Sequence, residues 1–305
     1  MFTVLEESDL VVHTDRHYTQ GIKLAYFHHD NLFPPVARDF YDRMPAWGFD
    51  KRVGKFGYEV GQSIYTPADL SATTLLPTDR PYAGWLYLGL ILHRRGVSGQ
   101  AEWPTLESFE LELGVTGPWS LAKEAQTWVH QLRGFEMPQG WNNQLQNEPG
   151  MVLRYERALR WTCTALHPLD IEFIPHAGFS LGNVEITMRL GGQLRAGFFL
   201  PDDYGVQNID SLVTSAGGWT SRHWGAYVFA GSEGKVVLRN TFLDGNLFSP
   251  SHSVQKESLV GDFKAGFMFV LHRVELGYTF VFRTPEFRQQ TESDEFGSLF
   301  LKIKF

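Results

Sequence analysis

The sequence holds a single cysteine, Cys163, which removes an intrachain disulfide and any cysteine-based zinc site. Long apolar runs are missing too. The longest clean one goes from Ala83 to Leu92, far short of the ~20 residues a spanning helix needs. The chain is therefore no helical membrane protein, although a transmembrane β-barrel escapes that criterion. A basic excess is absent: Lys and Arg number 27 against 34 Asp and Glu, for a formal charge of -7. With the cations scattered, nucleic acid is excluded as a partner. The opening MFTVLEESD lacks the basic start and apolar stretch of a secretory signal. It leaves open a cytosolic protein and an exported one whose leader has been removed. What the chain has in quantity is aromatic and small: 24 Phe, 11 Tyr, 9 Trp and 30 Gly, a mixture that excludes disorder, collagen and coiled coil.

Helical period is scarce, and a period of two takes its place. Phe109, Leu111, Leu113 and Val115 alternate with Glu110, Glu112 and Gly114, which describes a strand with one acidic and one apolar face. The same alternation runs through Ile22 to Tyr26, Tyr87 to Leu92, Val152 to Arg157 and Val274 to Phe282. Turn signals fall between such stretches, at Gly182-Asn183, Asp202-Asp203, Gly231-Ser232 and Leu271-His272-Arg273. The spacing of Trp119, Ala122, Gln126, Val129 and His130 predicts one helix over 119–132, opened by Pro118 and stopped by Gly134.

The last strand alternates Leu299, Leu301, Ile303 and Phe305, and its terminal aromatic resembles the closing signature of bacterial outer-membrane barrels. About twelve strands can be drawn, an even number that suits an antiparallel barrel with both ends periplasmic. The expected architecture is a single all-β domain over 1–305, a twelve-stranded transmembrane barrel with a short helix in an outer loop. Strand parity then puts the outer loops near 9–18, 65–80, 117–149, 182–185, 238–257 and 284–294. The stretches 30–52 and 200–222 come out periplasmic, long for turns of that side.

Gln126 and His130 are four apart on the predicted helix and leave the same face, opposite Trp119, Leu121 and Trp128. Such a helix could lean on the barrel wall and enclose a cleft, or simply carry a solvated histidine. The polar run from Glu7 to Asp9 and from Thr14 to Gly21 is dense in hydrogen-bonding groups, as loops generally are.

Six stretches in order along the chain carry a more specific likeness. They are TDRHYTQG (14–21), QSIYTP (62–67), DRPYAGWLYLG (79–89), GVTGPWSLAKEAQTWVH (114–130), GWNNQLQNEPG (140–150), and FLDGNLF with SHSV (242–254). Together they resemble the lipid A 3'-O-deacylase family of Gram-negative outer membranes. The resemblance implies a twelve-stranded barrel whose active site lies at the outer rim, between the wall and a helix. It also implies calcium-dependent removal of an ester-linked acyl chain from the 3' position of lipid A. By motif, the catalytic base falls on His130, with Gln126 one turn before it, Glu136 six positions after it, and Thr19 as the YTxG threonine. The family's first-strand Asn-Asp pair falls on Ser8 and Asp9. Serine there is a departure, expected to weaken or alter the activity, and a lysine of the second outer loop has no equivalent in 71–78.

The mechanism so implied is hydrolysis without a covalent intermediate. His130 deprotonates water, and Ca2+ held by Asp9 and Glu136 faces the developing oxyanion. Thr19 or Ser8 would add a hydrogen bond. A serine nucleophile, Ser8 or Ser120, has no G-x-S-x-G elbow behind it. Lipid A phosphates would meet Arg16, Arg80, Lys123 and Arg133, each of which could equally be an ordinary surface ion pair. The expected partners are lipopolysaccharide and outer-membrane lipids, with the protein a monomer. A phospholipase or other lipid esterase, a non-catalytic barrel or narrow pore, and a soluble β-rich protein stay open as alternatives.

Overall fold

Alternation along the strands becomes a closed wall with two unlike faces. The computed structural model describes residues 1–9, 17–46, 48–166, 169–206, 209 and 224–305. In chain order the strands are β1 (Phe2–Ser8), β2 (His17–Phe27), β3 (Phe49–Thr66), β4 (Ala83–Ser98), β5 (Trp103–Thr116), β6 (Glu148–Leu159), β7 (Trp161–Leu166), β8 (Leu169–Gly182), β9 (Glu185–Phe198), β10 (Trp224–Asn240), β11 (Leu259–Leu271), β12 (Val274–Arg283) and β13 (Asp294–Ile303). Each pairs antiparallel with its sequence neighbour, apart from β6 and β7, and β1 pairs with β13. Both β6 and β7 lie along β8, Val152 to Ala158 opposite one half and Trp161 to Leu166 opposite the other. They are two halves of one stave interrupted at Arg160. The thirteen strands thus make the twelve staves of a closed antiparallel barrel, as the sequence led one to expect.

Polarity is inverted relative to a water-soluble protein. Glu59, Glu110, Glu112, Arg154, Lys235 and Asp262 are buried inside the wall, while Leu88, Leu113, Leu190, Val228, Phe263 and Leu276 are exposed on its outer face. Within the lumen the charges meet partners: Arg154 Nε lies 3.1 Å from Glu112, Arg283 Nε 2.8 Å and Lys235 Nζ 2.9 Å from Asp262. An apolar band facing outward is what lipid requires, and it rules out the soluble alternative.

Several local expectations change. Gly231-Ser232 is no turn but the middle of β10, paired with Lys264 and Phe263. A Cβ on Gly231 would press on the Gly192 carbonyl, so this glycine permits close strand approach rather than reversal. The predicted helix divides into a 3-10 turn, Gly117–Ser120, and helix α2, Ala122–Arg133. The break is Leu121, whose left-handed φ of 56° no helix can continue through. Gly134, at φ 71°, ends α2 as expected. Helices α1 (Pro35–Arg43) and α3 (Thr241–Asp244) were not expected.

The described parts of the long connections have a use that strand parity alone hides: residues 200–206 and 209 pack inside the wall, and the 28–46 stretch packs on its end. After β9, Asp203 pairs with Arg195, Asp202 pairs with Arg95 and lies 2.6 Å from Arg160, and Tyr204, Val206 and Ile209 are buried. Ile209 donates its backbone N–H to Glu7 Oε1 at 2.8 Å. Glu7 sits next to the outer end of β1, so Ile209 is buried near that end. On the other connection, α1 buries Tyr41 against Phe33 (ring centroids 5.0 Å apart), and Arg94 donates to the Met44 and Pro45 carbonyls at 3.1 and 3.0 Å. At the outer end the lumen is filled by Tyr18, Tyr65, Trp85, Phe242 and Phe296, with Tyr65 and Phe242 stacked at 4.1 Å.

A lumen filled in this way should not conduct. Planar-bilayer recording of the wild-type protein is expected to show no steady porin-like current. Asp203→Ala, which removes one of the two carboxylates on Arg195 and leaves Glu172 as the other, should introduce flickering conductance as the segment loosens; a wild type that conducts steadily would refute the plug.

Candidate active site on the outer face of the wall

The seat for α2 is prepared by small and polar residues on β3 and β4. Ser63 and Tyr65 face the lumen, so Gln62, Ile64 and Thr66 face outward, and so does Gly84 on β4. Ile64 is buried by Ala122 and Trp141 with Leu70 and Tyr82, although it stands on the lipid side of the strand. Gln62 donates to the Ser120 carbonyl at 2.6 Å. A Cβ on Gly84 would overlap Ser120 Oγ and the Ala122 methyl, so glycine lets the helix touch the wall. Trp119 N–H donates to Asn147 at 2.7 Å and Ser120 Oγ to the Gly117 carbonyl at 2.6 Å, which fixes the approach. The helix therefore lies outside the barrel, at its outer end.

Two faces of α2 follow from that seat. Ala122, Gln126 and His130 are buried toward the wall. Trp119, Leu121, Trp128 and Leu132 remain exposed on the side that continues the barrel's apolar band, Trp128 at 64% and Leu132 at 70%. Indole rings at this level match the interfacial position that tryptophan favours in membranes.

His130 Nδ1 lies 2.5 Å from the Glu136 backbone carbonyl. A carbonyl only accepts, so Nδ1 carries a proton, and in the neutral ring the lone pair is on Nε2. The return of the chain past Gly134 makes this contact: Phe135 N–H bonds back to the His130 carbonyl at 3.0 Å, and its ring meets the imidazole edge-on at 5.8 Å. One turn earlier, Gln126 Oε1 accepts from Trp141 Nε1 at 2.8 Å.

The remaining sequence-derived residues divide between the two sides of the wall. Thr19 sits at a β-bulge between Tyr18 and Gln20, with its hydroxyl 2.7 Å from that of Thr66, hence on the outward side. Ser8, next to inward-facing Glu7, also faces outward and is buried, as is Asp9 just beyond it. Adjacent strands β1 to β4 thus carry Ser8, Thr19, Thr66 and Gly84 on the face that bears α2. Lys123, Arg133 and Glu136 are exposed. Arg80 lies elsewhere, buried at the lumen mouth, 3.1 Å from Glu286 and over the Tyr65 ring at 5.0 Å. Arg16 lies outside the described residues. The sequence reading assigned no role to Trp141, Thr66 or Gly84, though all three stand inside the quoted motifs. Gly84 next to a tryptophan in an otherwise bulky strand was the signal for a close approach.

Among the described residues one cluster offers several oxygen ligands to a hard cation. Glu59, Glu110 and Glu112 each present a carboxylate oxygen within 4.8 Å of the others. That cluster is inside the barrel and already engaged by Lys23, 3.3 Å from Glu59 and 3.2 Å from Glu110, so the wall separates it from His130. Asp9 and Glu136 are carboxylates at the outer end, and the Glu136 side chain makes no hydrogen bond or ion pair among the described residues. All-oxygen donors of this kind fit calcium better than a softer metal.

The seat itself can be tested. Gly84→Val should push α2 off the wall at a cost of about 1–3 kcal/mol. Limited proteolysis of the folded barrel is then expected to cut within 117–147 while the strands stay protected, and an uncut loop would contradict the contact.

Among known proteins, no curated sequence matches the chain. The solved structure of LpxR from Salmonella typhimurium is similar in fold, with a TM-score of 0.76 at 21% identity, covering 100% of this chain and 99% of that one. The β domain of the Bordetella autotransporter BrkA aligns at a TM-score of 0.48 and 8% identity, over 100% and 98% of the two chains, too loosely for any argument. The family described as outer membrane protein LpxR matches residues 1–305. With an apolar outer face, a closed barrel and a match over its full length, the chain belongs to the LpxR family of Gram-negative outer-membrane barrels.

Proposed function

We propose that this barrel is a lipid A deacylase, a monomer that hydrolyses the 3'-linked acyl ester in the outer leaflet. The observation that carries the reading is His130. It is buried on the wall-facing side of α2, with Nδ1 fixed on the Glu136 carbonyl, the orientation in which Nε2 would serve as the base. A helix on the outer surface of a barrel that shelters Gln126 and His130 and leaves Trp119, Trp128 and Leu132 exposed suits a substrate that is itself part of the leaflet. Membership of the LpxR family supports the same substrate.

In this mechanism His130 Nε2 takes a proton from water as the water oxygen attacks the ester carbonyl carbon. The tetrahedral intermediate collapses by breaking the bond to the sugar oxygen, and His130 returns the proton to that leaving oxygen. A free fatty acid and a sugar hydroxyl result. Asp9 and Glu136 would hold a calcium ion, which when bound supplies positive charge for the ester oxygen. The hydroxyls of Thr19 and Ser8 orient the water or the ester from the wall. Ser8 is a shorter donor than the family's asparagine. Lys123 and Arg133, exposed on α2, are placed to meet lipid A phosphates.

Detergent-refolded protein incubated with hexa-acylated lipid A, with calcium or with chelator, and analysed by mass spectrometry tests this reading. Loss of one 3' hydroxyacyl chain is expected with calcium only. His130→Ala should lower that rate by roughly 10²-fold or more without altering the folded barrel, and Asp9→Asn should raise the calcium concentration required. An unmodified lipid A in the presence of a folded barrel and calcium would sink the proposal, and release of phospholipid acyl chains would redirect it to a phospholipase.

A further inference from the structure

We infer that Trp141 is a positioning residue for the deacylation, through the side-chain amide of Gln126; the inference rests on the deacylase reading above. An indole N–H can only donate. The amide atom facing Trp141 Nε1 at 2.8 Å must therefore be oxygen, and the other end of the amide must be the NH2 group. Gln126 is 1% exposed, and its Nε2 has no hydrogen-bond partner among the described residues. Leaving a buried amide donor unsatisfied is costly, so a group held in that state has a pending acceptor. On the wall-facing side of α2, one turn before His130, the acceptor of matching chemistry is the carbonyl oxygen of the bound ester, whose negative charge grows during attack.

Trp141 is built to hold still. It is 2% exposed, in a short 3-10 turn, Trp141–Asn143, with its ring 4.9 Å from that of Tyr82. Gly140 before it admits the Tyr82 ring where a Cβ would collide, and the turn is anchored by Leu145 N–H on the Tyr82 carbonyl at 3.0 Å and Asn143 on the Thr73 carbonyl at 3.0 Å. Without the indole N–H, the amide can rotate about its last torsion and present oxygen instead of NH2. Oxygen facing a developing oxyanion would repel it.

Three variants separate orientation from packing. Trp141→Phe keeps the aromatic bulk and removes the donor. Gln126→Ala removes the amide. Gln126→Glu keeps an acceptor for Trp141 and replaces the NH2 by a second oxygen. The readouts are kcat and KM for calcium-supported lipid A deacylation, together with the ¹⁵N–¹H signal of the Trp141 indole in detergent micelles. The expected result is a kcat loss of roughly 10-fold for Trp141→Phe and about 10²-fold for Gln126→Ala or Gln126→Glu, with KM little changed. The Trp141→Phe/Gln126→Ala double variant should be no worse than Gln126→Ala. The indole signal should be slow to exchange in wild type and shift in Gln126→Ala. Full activity of Trp141→Phe, or losses that multiply in the double variant, would overturn the inference, as would an indole signal indifferent to Gln126. A folded wild type with a protected indole signal but no activity on lipid A is a different failure. It removes the deacylase reading, and with it the role given to the amide, while the Trp141–Gln126 bond stands.

Discussion

Every backbone N–H and C=O that faces hydrocarbon must find a partner in the protein, since lipid offers none and each unpaired group costs several kcal/mol. This constraint organises the molecule. It forces β1 onto β13, so that no strand edge is left open, and it makes the two halves β6 and β7 share β8 rather than leave a gap where the chain bends at Arg160. Once the wall is closed, the period of two sends alternate side chains to lipid and to the lumen, and the acidic rows of β5 have only one side on which they can stand.

A lumen lined with ionisable groups then has to be neutralised and filled. Pairs such as Lys235 with Asp262 and Arg154 with Glu112 neutralise it locally, because burying either partner alone would be far more costly than burying both. Filling falls in part to the connection after β9. It brings Asp202 and Asp203 to arginines of β4, β9 and the Arg160 break, and places Ile209 on Glu7. The described interior is thereby largely occupied by paired charges and packed rings.

Its seat outside the wall explains the composition of α2. A helix lying on the lipid side of a barrel has to present apolar residues in two directions unless it shelters a polar site beneath it. Here Ala122 makes the contact, Gln126 and His130 are sheltered, and Trp119, Trp128 and Leu132 face outward. The sheltered groups gain from exclusion of water, which strengthens electrostatic interactions among them. Their orientation is set by partners outside the helix, the Glu136 carbonyl and the Trp141 indole, so rigidity comes from the return of the loop on itself.

By itself the sequence determined the barrel, which connections share an end of it, and the helix stop at Gly134, because a period of two and a left-handed glycine are local properties that any window of residues displays. The same locality explains the errors. Gly231-Ser232 reads as a turn in isolation, and only its neighbours across β9 and β11 show a strand interior; Leu121 carries no local sign of its positive φ. Motif resemblance placed His130, Gln126, Thr19, Ser8 and Asp9 at one end of the chain's topology but could not say which side of the wall each faces. Tertiary structure decided that. It put Ser8, Thr19 and α2 on the outer face and Arg80 at the lumen mouth, packed residues 200–206 and 209 inside the wall, and brought Trp141 to Gln126. Those outcomes depend on which side chains meet after the wall has closed, a relation between residues far apart in sequence that no local period encodes.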